Sequence, residues 1–265
     1  MQDTTETTQK SIKPNLRKGI FLLPNLFTTG ALFAGFYAII AAIKGNYDIA
    51  AIAVLLAMLL DGLDGRVARL TNTQSAFGAE YDSLSDMVSF GLAPALVVYQ
   101  WSLAHLATAG PAWGKIGWLA AFIYTASAAL RLARFNTQIG IADKRYFQGL
   151  PSPAAAAVTV GAVWFCEHYG IAGIDVMVPA TLLTVSAGLL MVSRFSYYSF
   201  KDLDLKKRVP FVTVLIVLMA FVLVSIETPT VLFVMFFLYM ISAPIIALFR
   251  WIRKRRKNAL AKAES

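Results

Sequence analysis

Residues 49–70 read IAAIAVLLAMLLDGLDGRVARL, and residues 78–98 read GAEYDSLSDMVSFGLAPALVV. Each stretch is largely apolar yet contains a pair of aspartates, which are Asp61 and Asp64 in the first stretch and Asp82 and Asp86 in the second. An ionisable side chain at membrane depth costs about 2.5–3.5 kcal/mol on insertion scales, so such residues are rare unless they serve a function. The two stretches therefore indicate membrane helices that carry a functional carboxylate site.

The chain around these stretches has the composition of a membrane protein. Of its 265 residues, 58% are hydrophobic and 15% are charged, and the mean hydropathy is +0.63, whereas about a quarter of a soluble domain is charged. A spanning helix needs roughly 20 mostly apolar residues. Eight such runs are present, at residues 20–43, 47–68, 83–104, 116–136, 152–169, 175–193, 210–226 and 230–249. We predict an all-α polytopic membrane protein with about eight transmembrane helices.

The basic residues fall mainly on one side of the predicted spans. With eight spans and a cytoplasmic N-terminus, all of the 24 Lys and Arg except Lys44 and Lys115 lie on the cytoplasmic side, as the positive-inside rule requires. We predict a multi-pass protein of the cell (inner) membrane, with both termini and the site on the cytoplasmic side. The net charge of +9 is then explained by topology and by contact with anionic membrane lipids, and no nucleic-acid partner is expected.

The spacing of the aspartates places each pair on one face of a helix. Asp61 and Asp64 are three residues apart, and Asp82 and Asp86, at the start of the third span, are four apart. The thirteen residues 69–81 allow the chain to turn back, so that the two helices present four carboxylates to one point. Clustered carboxylates repel one another unless a cation lies among them or some are protonated. Because oxygen ligands select hard cations, we predict a divalent metal site for Mg²⁺, Mn²⁺ or Ca²⁺, with two ions suited to binding a diphosphate.

Small and basic residues accompany the aspartates. Gly65 would let a phosphate approach the backbone, and Ala68 is small on the same helix face. Arg69 offers a fork of donors to a phosphate, and Gly78 removes a side chain beside the second pair. The pattern predicts a phosphate site beside the metal. The alternative is that the glycines serve packing and that the aspartates are interfacial charges satisfied by water and arginines.

Written out, the stretch is Asp61-x2-Asp64-Gly65-x2-Ala68-Arg69-x8-Gly78-x3-Asp82-x3-Asp86. It resembles, at every fixed position, the signature of the CDP-alcohol phosphatidyltransferase family. Four further strings resemble the serine-using branch of that family, namely PNLFT at 24–28, SDMVSFG at 85–91, RLARFN at 131–136 and FQGLPSP at 147–153.

The resemblance implies a helical bundle with a six-helix core, assembled as a homodimer. It implies that the four aspartates hold two metal ions, that Asp86 is also the general base, and that Gly65, Arg69 and Ser75 contact the CDP group. The implied donor is CDP-diacylglycerol and the implied acceptor is L-serine, so that phosphatidylserine and CMP are the products. The chain would then comprise a polar N-terminal segment (1–18), a membrane catalytic domain (19–250) and a basic cytoplasmic tail (251–265).

Two polar residues lie near the cytoplasmic entrance of the first span. Asn25 and Thr28 are candidates for hydrogen bonds to the cytidine or its phosphates. The alternative is that they satisfy backbone groups freed by Pro24.

Serine carries a carboxylate, so a cationic partner is expected near the cytoplasmic end of the fourth span. Arg131 and Arg134 lie there three residues apart and are followed by Asn136. We predict that one of the arginines binds the serine carboxylate or the lipid phosphate. The alternative is that both extend to the membrane interface as topology markers.

Other functions remain open at this point. If the chain belongs to the family but not to its serine-using branch, the acceptor alcohol would be glycerol phosphate, inositol phosphate or choline. An intramembrane prenyltransferase also binds a diphosphate through metal and aspartates, but the spacer in this motif does not suit that class. A divalent-cation transporter would place its carboxylates near the bilayer midplane along a polar path, whereas the later spans here are nearly devoid of polar groups.

Overall fold

The computed structural model describes residues 15–71, 73, 75–137, 146–198 and 211–263. Within these ranges the chain forms nine α-helices, which are α1 (Asn15–Ile43), α2 (Tyr47–Thr71), α3 (Ala76–Asp86), α4 (Ala93–Trp101), α5 (Pro111–Thr137), α6 (Ser152–His168), α7 (Met177–Val192), α8 (Phe211–Ile226) and α9 (Thr228–Ala263). A π-helix covers Met87–Leu92, 3-10 helices cover Leu103–Ala109 and Gly173–Val176, and strands β1 (Tyr146–Gln148) and β2 (Ser196–Tyr198) pair antiparallel. Most of the predicted segment 1–18 and the last two residues of the predicted tail lie outside the described residues.

The helices follow the predicted spans. Each of the eight predicted runs coincides with one helix or, in the third case, with a succession of helices. Within the described ranges, five segments are long and apolar enough to cross a membrane, namely Pro24–Ile43, Ala76–Ala109, Pro111–Thr137, Gly173–Val192 and Thr228–Arg255. Helices α6 and α8 are shorter, at 17 and 16 residues, and α2 carries the first aspartate pair with two arginines. The chain is an all-α polytopic membrane protein, as predicted.

The turn between the two aspartate pairs is tighter than predicted. Helix α2 continues to Thr71 and α3 begins at Ala76, so only residues 72–75 connect them instead of residues 69–81. The N-cap of α3 is Ser75, whose hydroxyl accepts a hydrogen bond from the Gly78 N–H at 3.0 Å. The second aspartate pair consequently lies in the later half of α3 and not at the start of a span.

The third span is interrupted directly after the aspartates. A π-helix, which was not predicted, occupies Met87–Leu92 between α3 and α4. Pro94 has no N–H to donate to the Phe90 carbonyl one turn earlier, and the Tyr124 hydroxyl of α5 donates to that carbonyl instead, at 3.1 Å. The Thr125 hydroxyl donates to the carbonyl of the next residue, Gly91, at 3.3 Å. Helix α5 therefore stabilises an irregular segment, a kind that is frequent at functional sites.

Helices α1 and α2 pack against each other through small side chains. The buried alanines of the two helices belong to one hydrophobic cluster, and they are Ala31, Ala34, Ala38, Ala41 and Ala42 of α1 and Ala50, Ala51, Ala53 and Ala57 of α2. Small residues let helix backbones approach closely in a membrane, where apolar burial alone does not drive association. The contact fixes α2, and thereby its aspartates, against α1.

Helix α1 also approaches the π-helix closely at Gly35. A methyl group at Gly35 would lie 2.6 Å from Ser89 Oγ and 2.7 Å from Ser89 Cα. We expect Gly35→Ala to destabilise the protein by about 1–3 kcal/mol, because the obstructing atoms include backbone that cannot rotate away. The melting temperature in detergent measures this change.

Gly62→Ala is the matched control, because no described atom outside the adjoining turns of α2 lies within 4 Å of a methyl group at Gly62. Removing a helical glycine there is expected to leave the melting temperature unchanged or slightly higher. Equal melting temperatures for the two variants would contradict the close approach of α1 to the π-helix.

The two short strands were not predicted. Phe147 lies opposite Tyr197 in the ribbon. After β1, the Gly149 N–H donates to the Phe195 carbonyl at 2.8 Å, and the Leu150 N–H donates to the Leu190 carbonyl of α7 at 2.9 Å. Strands of three residues carry too few side chains to give a period-two signal in sequence. The ribbon ties the segment before α6 to the end of α7.

Candidate active site

The two aspartate pairs converge between α2 and α3. Carboxylate oxygens of Asp61, Asp64 and Asp82 all lie within 4.8 Å of one another. Asp86 adjoins this group, with its carboxyl within hydrogen-bonding reach of the Asp61 carboxyl. Asp64 is buried, and the other three aspartates are half-buried. The geometry gathers four acidic side chains at one point of the bundle.

The cluster has the properties of a divalent-cation site. Its donors are all carboxylate oxygens, the ligands that hard cations prefer. Asp82 Oδ1 is buried and has no hydrogen-bond partner within the described part of the chain. Carboxylates this close repel one another unless protons or a cation compensate them. The residues present therefore fit a bound divalent metal.

Helix α1 orients one of the aspartates. The Thr28 hydroxyl lies 2.8 Å from Asp64 Oδ2, to which it donates, and 3.2 Å from the Pro24 carbonyl. Ser85, between the two aspartates of α3, donates to the Thr28 carbonyl at 3.2 Å. Both hydroxyl-bearing residues are buried. Thr28 thus contacts both the aspartate site and the backbone near Pro24, and Ser85 is a neighbour that sequence reasoning missed.

A cavity of about 230 Å³ opens beside the aspartates, between α1, the end of α2 and the beginning of α3. The seven residues predicted for the CDP group all line it, and they are Asn25, Thr28, Gly65, Ala68, Arg69, Ser75 and Gly78. The remaining lining residues are Pro24, Asp64, Thr73, Ala79 and Asp82. Since two of the clustered aspartates form part of its wall, the cavity and the carboxylates constitute one site.

The two predicted glycines behave differently in the wall of this cavity. A methyl group at Gly78 would lie 3.1 Å from Ser75 Oγ and 3.5 Å from Asn25 Oδ1, so the helix cap leaves little room there. A methyl group at Gly65 would meet only Arg69 Nη1, at 3.9 Å, within the described residues. Gly65 therefore exposes backbone to the cavity beneath the Arg69 guanidinium, an arrangement suited to a phosphate.

Arg134 is occupied by the protein backbone. Its guanidinium donates to the carbonyls of Gln148 at 2.6 Å, Val192 at 3.2 Å and Met191 at 3.4 Å. Cationic side chains stabilise the free carbonyls at a helix C-terminus, and α7 ends at Val192. Arg134 therefore fastens α5 to the ribbon and to the end of α7.

Arg131 and Asn136 lie closer to the aspartates. Arg131 is within electrostatic reach of Asp86, and its Nη1 donates to Ser152 Oγ at 2.7 Å. Asn136 Nδ2 donates to Ser83 Oγ at 3.0 Å, which links α5 to the residue after Asp82. Of the three residues predicted for serine or lipid phosphate, Arg131 is the one whose charge faces the carboxylate cluster.

Sequence reasoning missed some of the residues that support this site. Ser85 and Ser152 lie within the quoted strings SDMVSFG and FQGLPSP, and Pro94 signals the break after Asp86. Their partners, however, lie on other helices, so their contacts have no local signature.

Comparisons with known proteins agree with the geometry. The family model described as CDP-alcohol phosphatidyltransferase matches residues 21–193. The chain is 35% identical over 240 residues to a CDP-diacylglycerol–serine O-phosphatidyltransferase of Helicobacter pylori strain J99, covering 91% of this chain and 98% of that protein. It is 39% identical over 166 residues to the enzyme of the same name from Mycobacterium tuberculosis strain H37Rv, covering 60% and 55%. An archaetidylserine synthase of Methanothermobacter thermautotrophicus is 34% identical over 177 residues, covering 66% and 69%. The chain belongs to the CDP-alcohol phosphatidyltransferase family.

Proposed function

We propose that this chain transfers the phosphatidyl group of CDP-diacylglycerol to the hydroxyl of L-serine, giving phosphatidylserine and CMP. The observation that carries the proposal is the cavity that shares Asp64 and Asp82 with the carboxylate cluster. The similarity to relatives named for serine transfer supports serine as the acceptor.

In the proposed reaction the serine oxygen forms a bond to the phosphorus of the phosphatidyl group. The bond between that phosphorus and the oxygen of CMP breaks, and its electron pair leaves with CMP. The serine hydroxyl proton passes to the carboxylate of Asp86, the general base. Asp86 suits this role because it lies at the edge of the cluster that faces Arg131.

We propose that Asp61, Asp64, Asp82 and Asp86 hold two divalent ions, Mg²⁺ or Mn²⁺. When bound, these ions would neutralise the charge of the diphosphate and of the oxygens that attack and leave. Thr28 would orient Asp64 as a ligand, since it donates to Oδ2 at 2.8 Å.

The donor would occupy the 230 Å³ cavity with its diphosphate towards the aspartates. The Arg69 guanidinium would bind phosphate oxygens, and Gly65, which has no side chain, would let the phosphate approach the helix. Asn25 of α1 and Ser75 at the N-cap of α3 would contact the rest of the CDP group, and Ala68 and Gly78 would leave room for it. Arg131 would bind the carboxylate of serine on the other side of Asp86.

Topology and assembly complete the proposal. The clustering of basic residues supports an orientation in the inner membrane with both termini and the site cytoplasmic. The division into segments 1–18, 19–250 and 251–265 follows from the same charge pattern. A homodimer is proposed from the family resemblance, and light scattering of the detergent-solubilised protein measures it.

The acceptor is tested with purified protein, CDP-diacylglycerol, Mg²⁺ or Mn²⁺, and one alcohol at a time. Release of CMP is expected with L-serine and not with glycerol phosphate, inositol phosphate or choline. If CMP is released with one of those alcohols and not with L-serine, the chain belongs to another branch of the family. A cation transporter would show no serine-dependent CMP release.

The donor pocket is tested by Gly65→Val. The first carbon of the new side chain fits, but its two methyl groups would enter the space assigned to the diphosphate. We expect the KM for CDP-diacylglycerol to rise about tenfold or more, equivalent to about 1.4 kcal/mol, while the KM for serine changes little.

Gly62→Val is the control for this variant. It places the same side chain on the same helix, at a position that does not line the cavity. If Gly62→Val and Gly65→Val have the same donor KM, the donor does not bind in this cavity.

A further inference from the structure

Ser152 lies at the beginning of α6, is fully buried, and accepts a hydrogen bond from Arg131 Nη1 at 2.7 Å. Arg131 Nε is also buried and has no hydrogen-bond partner among the described residues. A buried guanidinium donor without a partner is costly unless a ligand completes it. The hydroxyl of Ser152 therefore contacts one end of a guanidinium whose Nε donor, near Asp86, has no partner in the part of the chain that the structure describes.

The position of Ser152 is determined by the segment that precedes it. Gly149 has φ +79, and a side chain there would collide with the Met191 carbonyl. The N–H groups of Gly149 and Leu150 donate to carbonyls beyond and within α7, and Leu150 is fully buried. Arg134 adds a further link, because its guanidinium joins the Gln148 carbonyl to the last carbonyls of α7.

These contacts form a continuous connection from α7 to the acceptor side of the site. Hydrogen bonds attach the ribbon and residues 148–150 to the end of α7. These residues fix the position of Ser152, and Ser152 accepts the hydrogen bond that fixes Arg131. We propose that Ser152 is a positioning residue that aims Arg131 at the carboxylate of the acceptor, and so sets the preference for an acceptor that carries a carboxylate. This inference rests on the proposed function, and it adds a residue that acts through Arg131 without touching the substrate.

Preference for a carboxylate is measured by comparing L-serine with L-serinamide, which keeps the hydroxyl and the ammonium but lacks the anionic group. The wild-type protein is expected to use serine with a kcat/KM about 100-fold above that for serinamide, because a charge-assisted hydrogen bond to the carboxylate contributes a factor of about that size. Ser152→Ala is expected to reduce this ratio to about tenfold or less, chiefly through a higher KM for serine. The KM for CDP-diacylglycerol should stay within twofold of the wild-type value.

Two variants separate positioning from general damage to the fold. Thr184→Val removes a buried hydroxyl that donates within α7, to the Ala180 carbonyl, and is expected to leave the serine-to-serinamide ratio unchanged. Ser152→Thr keeps the hydroxyl and is expected to retain most of the ratio even if its melting temperature falls. Because the ratio compares two acceptors on the same protein, a partly unfolded sample does not alter it.

The outcomes distinguish this inference from the proposed function. A wild-type protein that does not release CMP with serine would overturn the proposed function itself. A wild-type protein that prefers serine over serinamide, together with a Ser152→Ala variant that keeps the full preference, would overturn the positioning role alone. Loss of the preference in Ser152→Ala and in Arg131→Lys, with its retention in Thr184→Val, would support it.

Discussion

Replacing Asp86 by Asn is expected to lower the kcat for CMP release by about 10²–10⁴-fold, the usual contribution of a general base. Asparagine has the same shape as aspartate, so the packing of α3 against α2 is preserved. The KM values should change less than kcat, because a base acts in the transition state and contributes little to ground-state binding. Steady-state assays that vary serine or CDP-diacylglycerol while the other substrate is saturating measure both constants.

The same substitution is not expected to destabilise the fold. Asp86 contributes one of four neighbouring acidic groups and adjoins Asp61 directly, so removing its charge relieves repulsion. The melting temperature of the metal-free protein in detergent should therefore stay the same or rise, while turnover in the presence of metal collapses. Asp48→Asn serves as the control, because Asp48 is exposed at the other end of α2. Undiminished turnover in Asp86→Asn would exclude Asp86 as the base.

Helical periodicity explains why much of this site was predictable. Asp61 and Asp64 share a face whatever else α2 contacts, and the small residues that follow them, Gly65 and Ala68, must lie beside that face. The cavity wall was therefore anticipated on α2 from spacing alone. The resemblance to the family then supplied Ser75, which the structure shows to be the N-cap of α3.

The unpredicted features depend on contacts between distant parts of the chain. Nothing near Arg134 in sequence indicates that it binds carbonyls of residues 191 and 192, more than fifty residues away. The π-helix requires Tyr124 to satisfy the Phe90 carbonyl, and that partner lies on another helix. Sequence patterns describe one helix at a time, whereas these residues are defined by which helices meet.

Removal of divalent metal is expected to abolish CMP release and also to lower the stability of the folded chain. Without a cation, the oxygens of Asp61, Asp64 and Asp82 lie within 4.8 Å of one another with only protons to compensate them. A ligand that binds only the folded state stabilises it by about 2.7 kcal/mol at a hundredfold excess over its Kd. Adding Mn²⁺ or Mg²⁺ to chelator-treated protein should therefore raise the melting temperature in the absence of any substrate.

A comparison of Asp82→Asn with Glu80→Gln tests whether the stabilising ion binds at the aspartate cluster. Both remove one carboxylate from α3, but Asp82 contributes a buried oxygen that has no hydrogen-bond partner in the described ranges, whereas Glu80 is exposed. Glu80→Gln should keep the full melting shift with Mn²⁺ and the full activity. Asp82→Asn should lose most of the shift and at least about 10²-fold in activity, since a weakened metal site removes charge stabilisation at the phosphoryl oxygens. If both variants respond to Mn²⁺ like the wild-type protein, the ion binds elsewhere. In that case the short distances among these carboxylates must be maintained by shared protons.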